Sequence, residues 1–471
     1  MEILEHTPEL QYSYLVGGCV RDALLGFAVA DYDIEAYQVS YESLARGLRR
    51  WGRTSLVGRS FGVIKLQLQD GHAYDFSLPR RDSKTAPGHK GFHIEIDQNI
   101  HPREAAARRD FTINSMMFDP RTDLLLDFFG GRVDLENRVL RHTSAAFSED
   151  PLRVLRGMQM ASRFQLEAAP ETLEMCRSMA LSYHELAIER VREEWIKWAA
   201  RSTSPSHGLR FLGQAGWLSH FPEIDALRGV AQEPEWHPEG DVFTHTCHCL
   251  DALVKLPEWI VASESDRVVL CFAVLAHDFA KPATTLQALK DGIQRIISPG
   301  HEEKGGPIAE EFLKRIGVQS ALIQRVVPLV SNHLAHMQTS TDRSIRRLAV
   351  RLQPETIEHL CIVIRADQFG RPPRPKEPSQ SLLNLQEKAL ELNLRREAPK
   401  RMLMGRDLLD RGLAPSPRFK QILDEAFEAQ LEAQFQDAEG AQVWLTQHLE
   451  QGMLSADSHR SAALKGSPIP L

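Results

Sequence analysis

The apolar and polar positions of this chain change period once, near residue 150. Before that point short runs alternate. "YSYLVGG" reads as a strand ending in a glycine turn, and "VRDALLG" as the helix that follows. "ADYDIEAY", "GVIKLQLQ" and "HAYDFSL" alternate with the period of two that marks half-buried strands. The pattern from Tyr14 to about Arg141 predicts a small sheet with helical cover. From Asp150 onward the spacing turns helical, as in "DPLRVLRGMQMASRF" with Leu152, Leu155, Met158 and Phe164. Helical patterns are expected almost to the end. "FGRPPRPKEPSQ" interrupts them with four prolines and reads as a linker. The expected division is an α+β head at 1–141, a helical neck and body at 142–228, and a second helical domain at 229–371. A linker at 372–379, helices at 380–452 and a coreless, disordered tail at 453–471 complete it. No internal repeat is visible.

Composition narrows the picture modestly. The 471 residues suffice for several domains, and 42% hydrophobic with 25% charged residues is ordinary for a globular chain. The net charge of −7 hides an asymmetry. Arginines crowd between Arg80 and Arg163, and acids between Asp424 and Glu450, so a polyanion would be steered to the first half. Six scattered cysteines suggest no disulfide framework. With no apolar run near the roughly 20 residues that span a bilayer and no signal-peptide pattern, a cytoplasmic protein is expected.

The chemistry begins at Asp31 and Asp33. Side chains two apart on a strand share a face. Two such carboxylates repel, and a divalent cation relieves the repulsion. Asp75 in "AYDFSL" is a plausible third carboxylate from a neighbouring strand. Gly17 and Gly18 leave backbone N–H groups open to phosphate, and Arg21 sits in the first turn of the following helix. A phosphate cradle beside a metal-binding Asp-x-Asp describes nucleotidyl transfer. In "ARRDFTINSMMFD", Arg108 and Arg109 are adjacent cations suited to a triphosphate or an RNA backbone, with Asp110 and Asn114 to orient them. In "SEDPLRVLRGMQMASRF", Asp150 and Arg153 stand three apart at a helix start, where an acceptor and a donor can match the edge of a base.

"LVGGCVRDALLG…DYD" resembles the head signature of the tRNA nucleotidyltransferase and bacterial poly(A) polymerase family, class II of the polymerase-β-like superfamily. The RRDFTIN and EDxxR stretches resemble its next two motifs. The resemblance implies Asp31 and Asp33 as catalytic Mg²⁺ ligands. It implies Gly18, Arg21 and Arg109 as nucleotide contacts, and Asp150 and Arg153 as readers of the incoming base, with Arg156 a further contact. Gln159 stands where many relatives carry arginine. Phe61-Gly62 in "VGRSFGVIKL" and the loop "RRDSKTAPGHKGF" resemble CCA-adding members. The implied reaction is untemplated addition of CCA to tRNA from CTP and ATP. Poly(A) synthesis, or addition of only CC or only A, is the alternative.

Downstream, His245 in "FTHTCHCLDAL", His277 and Asp278 in "LAHDFAKP" and Asp367 in "RADQFGR" follow the order H…HD…D. Imidazoles and carboxylates from separate helices can converge on a divalent transition metal that serves phosphoester hydrolysis. The order resembles the HD phosphohydrolase domain. Lys281 is placed to hold a phosphate, and His301 and His333 are optional extra ligands. Cys247 and Cys249, two apart on a helix, diverge and argue against structural zinc. "WHP" at 236–238 reads as a structural turn.

Overall fold

A computed structural model describes residues 2–29, 31–57, 62–84, 92–290, 292–338 and 340–463. Phe61 and the glycine-containing loop at 85–91 lie outside these, so the expectations placed on them are left there. The head is a seven-stranded sheet. Its strands are β1 (Ser13–Val16), β2 (Tyr32–Ala36), β3 (Arg53–Val57), β4 (Val63–Gln67), β5 (Ala73–Ser77), β8 (Met117–Asp119) and β9 (Leu124–Leu126). They are ordered β3-β4-β5-β2-β1-β8-β9. A separate hairpin, β6 (Arg80–Lys84) with β7 (Phe92–Ile96), carries the basic loop segment.

Alternation sorts the two faces of the sheet. Ile34 and Ala36 on β2, Ile64 and Leu66 on β4, and Phe76 on β5 enter one core together with Leu44 and Leu48 of the Tyr41–Leu48 helix. The residues between them, Asp33, Lys65 and Asp75, are left on the other face. Ser40 caps that helix by accepting the N–H of Ser43.

The second half of the head joins the helical body. Cys19, Val20, Phe111 and Ile113 belong to one large core with Leu155, Trp195, Trp198 and Trp217. Trp195 lies 5.5 Å, edge to face, from Phe312 of the His301–Arg315 helix. The neck and the histidine-bearing region therefore share a single interior rather than forming separate units. The Leu152–Phe164 and Pro205–Gln214 helices cross closely at Gly208. A Cβ there would lie 2.5 Å from the Met158 carbonyl oxygen.

Three sequence expectations need correction. The region after residue 150 is not wholly helical. A short parallel pair, β10 (Val139–Leu140) with β11 (Glu167–Ala168), ties the head to the neck. A hairpin of β12 (Leu286–Lys290) and β13 (Ile293–Ile297) stands beside the histidine cluster. The C-terminal helices are not one unit. Leu382, Leu385 and Ala389 of the Gln380–Glu391 helix join the large core, while Leu403, Leu408, Ile422, Ala426 and Leu445 form their own. The last helix runs from Ala438 to Ala463, through much of the segment expected to lack structure. The prolines do break the helices, between Phe369 and Gln380. Among the described residues no helix is long and apolar enough to cross a membrane.

Candidate active sites in the head and the histidine cluster

Sheet register builds the head site. β2 and β5 run parallel with Asp33 opposite Asp75, and β4 runs antiparallel to β5 with Lys65 opposite Asp75. Lys65, Asp75 and Asp33 thus form a row across three strands. Asp31 immediately precedes β2 and is exposed, as is Asp33. Lys65 Nζ lies 3.0 Å from Asp75 Oδ2. Partial desolvation by the surrounding protein and the facing Asp75 push the Asp33 carboxyl above its ordinary value, although Arg109 opposes this. Carboxylates that face one another across neighbouring strands are suited to a divalent cation.

Gly17, at φ +74°, turns the chain from β1 into the Gly18–Leu24 helix. A Cβ at Gly17 would lie 3.0 Å from Arg109 Nη1, so the glycine lets that guanidinium lie against the turn. Arg109 Nη2 is 3.5 Å from Glu35 Oε2, which also accepts the Tyr37 hydroxyl at 2.7 Å. Arg21 is placed differently. Its side chain is buried, donates to Asp22 Oδ1 and to Asn114, and lies 4.4 Å from the Phe164 ring centroid. It locks the glycine helix to the neck.

Asp110 is buried and accepts from the Phe111 N–H at 2.8 Å, Asn114 Nδ2 at 3.0 Å and Arg156 at 2.7 Å. Burial alone would raise its carboxyl, but Arg156 and Asn114 bring it down to about 2. Asp150 lies just outside the helix that begins at Leu152, and its Oδ1 accepts the Leu152 N–H. Its partner is not Arg153 but Arg190, at 2.7 Å. Arg153 instead donates to the carbonyls of Ala146 and Arg108 at 2.7 and 2.6 Å. Arg190 belongs to "ERVREEW", a segment that sequence reasoning left without chemistry.

The second site gathers around the end of the Glu264–Ala276 helix, whose residues from Val268 to Ala276 are all buried. His277 and Asp278 follow directly. His245 comes from the Val242–Leu253 helix and Asp367 from the Ile357–Phe369 helix. All four converge. His245 Nε2 lies 3.0 Å from Asp367 Oδ1 and 3.8 Å from Asp278 Oδ2, and His277 Nε2 lies 3.1 Å from Asp278 Oδ2. His301 Nε2 is 3.3 Å from Asp278 Oδ1 and 3.3 Å from His333 Nε2. The Nδ1 atoms of His277, His301 and His333 each face a backbone carbonyl at 2.7–2.8 Å, which aims every Nε2 inward. Asp278 Oδ1 and Oδ2 and His277 Nε2 are buried; among the described residues they lie at ion-pair distance from His301, Lys281 and each other but form no hydrogen bond of regular geometry. Such a buried set of converging imidazole nitrogens and carboxylate oxygens fits a metal ion.

Several residues here escaped the sequence reading. Lys281, expected to hold a phosphate, is engaged with the cluster itself; its Nζ lies 2.8 Å from Asp278 and donates to Gln232 at 2.7 Å. Arg371 clamps both oxygens of Asp367 at 2.7 and 2.8 Å. The "WHP" stretch is more than a turn, because His237 and Glu239 reach His245. Cys249 Sγ lies 3.3 Å from His245 Nε2, beneath Gly370, whose missing side chain makes the room. Burial and the nearby Asp367 and Asp278 push that thiol well above its ordinary value. A cavity of about 390 Å³ opens from the cluster and is lined by Trp236, Lys290, Ile296, Met337, Lys281 and Arg371.

Two known domain profiles match the regions that carry most of these residues. The profile described as the Poly A polymerase head domain matches residues 13–141, and that of the HD domain matches residues 242–371. A multifunctional CCA protein of Halorhodospira halophila is 36% identical over 369 residues, covering 77% of this chain and 80% of that protein. One of Xylella fastidiosa is 34% identical over 401 residues, covering 81% and 90%. Among solved structures, the Bacillus stearothermophilus CCA-adding enzyme in complex with CTP superimposes with a TM-score of 0.65. It is 18% identical and covers 96% of this chain and 97% of that one, which speaks to the fold. With a matching head, a matching HD region and relatives of this identity over most of their length, the chain belongs to the family of the multifunctional CCA proteins.

Proposed function

We propose that this chain completes tRNA 3′ ends with CCA from CTP and ATP in its head, and hydrolyses phosphoesters at its HD cluster. The observation that carries the first part is the facing of Asp33 and Asp75 across β2 and β5, with Asp31 just before β2 and Arg109 against the Gly17 turn. Asp31 and Asp33 would hold Mg²⁺, which supplies charge neutralisation at the α-phosphate and at the 3′-hydroxyl. The chain's own part is positioning. Arg109, lying against the Gly17–Gly18 turn, takes the triphosphate, and Arg21 fixes the helix that follows the turn. Asp150 and Arg153 read the base once its edge replaces Arg190 and the carbonyls of Ala146 and Arg108, with Arg156 held beside them by Asp110. The relatives' names, and solved CCA-adding enzymes in complexes with CTP, ATP and tRNA, support this reading. A tRNA substrate and six free, buried cysteines fit the cytoplasm.

At the HD cluster, His245, His277, Asp278 and Asp367 would hold a divalent transition metal, with His301 and His333 adjoining Asp278. The ion supplies Lewis acidity toward a phosphoester. Lys281 and Arg371 keep the two carboxylates ionised and in place. Asp33→Ala should abolish nucleotide incorporation and leave phosphodiester hydrolysis intact, while Asp278→Ala should do the reverse. Incorporation by Asp33→Ala at more than a few per cent of the parent rate would refute the head assignment.

A further inference from the structure

Of the histidines in the HD cluster, His245 is supported differently. His277, His301 and His333 rest their Nδ1 atoms on neutral backbone carbonyls at hydrogen-bond distance, the Glu302 carboxylate standing off His301 Nδ1 at 3.7 Å. His245 rests its Nδ1 on a carboxylate, Glu239 Oε1, at 2.7 Å. The side chains of both residues are fully buried. The same Oε1 lies 2.9 Å from Nδ1 of His237, whose ring meets that of His245 edge to face at 4.6 Å. Glu239 Oε2 has no hydrogen-bond partner among the described residues. A carboxylate fully removed from water is costly unless its charge is used.

We infer that Glu239 is a positioning residue of the HD metal centre, acting through His245, with His237 holding Glu239 in turn. The inference rests on the proposed metal site. The carboxylate fixes the proton of His245 on Nδ1. That leaves the Nε2 lone pair directed at Asp278 and Asp367, and the negative charge behind the ring makes Nε2 a stronger donor to a cation. A backbone carbonyl fixes the tautomer equally well but brings no charge. His245 is therefore expected to be the ligand that sets metal affinity.

The test is a Co²⁺ titration of the full-length, metal-stripped protein, followed by visible absorption. The parent should bind with the spectrum of a histidine-ligated site. Glu239→Gln keeps an acceptor without charge and should weaken binding about tenfold, and Glu239→Ala about a hundredfold. The unfolding midpoint of metal-free Glu239→Gln should match the parent, which separates positioning from a merely structural role. Co²⁺ affinity within twofold of the parent in both variants would overturn the inference. Asp278→Ala serves as the control: if it binds Co²⁺ like the parent with an unchanged spectrum, the metal site itself is wrong and this inference falls with it.

Discussion

Arg156→Ala should destabilise the junction of head and neck by about 2–3 kcal/mol at pH 7. Asp110 is only 6% exposed, and among the described residues Arg156 is its one counter-charge within salt-bridge distance. Removing the guanidinium leaves the Phe111 N–H and Asn114 as neutral donors. Losing one partner of a buried ion pair costs about 3–5 kcal/mol, but the Arg156 side chain is 36% exposed, so water can partly replace it. The net fall of the carboxyl, to which Arg156, Asn114 and the Phe111 N–H all contribute against burial, is of the same order. A fall from 3.8 to about 2 is worth about 2–3 kcal/mol. The sign follows from a folded value below the unfolded one. The stabilisation is full above pH 4, where an unfolded aspartate is ionised, and is lost as pH falls toward 2. The assay is urea unfolding read by the fluorescence of Trp195, Trp198 and Trp217, which share a core with Phe111 and Leu155. The gap between parent and variant should narrow to about half by pH 3, and Asp110→Asn in the Arg156→Ala background should recover most of the loss. A gap under about 0.5 kcal/mol at pH 7, or one that does not shrink on acidification, would refute the reasoning.

Further outcomes follow from other places in the fold. Gly208→Ala should lower the unfolding midpoint through a cost of about 1–3 kcal/mol, because its Cβ would meet the Met158 carbonyl oxygen and Ser162 Oγ at 2.5 and 2.3 Å; an unchanged midpoint in calorimetry contradicts that crossing. Trp236→Ala should raise KM for a nucleoside phosphodiester about tenfold with little change in kcat, through a lost stacking surface in the HD cavity, and should leave dimethyl phosphate hydrolysis unaltered. Chelation should stop both activities. Mg²⁺ alone should then restore incorporation, while hydrolysis should return only with a transition metal.

The parts of both sites that were legible in the sequence are those set by local geometry. Alternation in "ADYDIEAY" predicts the open face of β2 that Asp33 occupies, with Asp31 just before the strand, without knowledge of the sheet. Asp75 was suspected, but its place opposite Asp33 depends on β5 lying parallel beside β2, which strand order decides. Arg190 takes Asp150 from 40 positions away through packing of two helices, and no local pattern announces that. Glu239 and His237 precede a helix by a few residues and look like turn material; only the approach of His245 gives them a role. The β12–β13 hairpin did leave a signal, since "LQALKDGIQRII" alternates around Asp-Gly, yet its helical surroundings hid it. The separate C-terminal core escaped because helical periodicity shows which face is buried, not against what.

The central claim is tested most directly with purified protein, Mg²⁺ and tRNA transcripts ending before CCA, after C and after CC. Each is supplied with CTP, ATP or both, and products are resolved at single-nucleotide length. Completion of all three to CCA, followed by a stop, is the predicted result. Long A tails would make the head a poly(A) polymerase, addition of only CC or only A would make it a specialised enzyme, and no addition at all would contradict the account of the head outright.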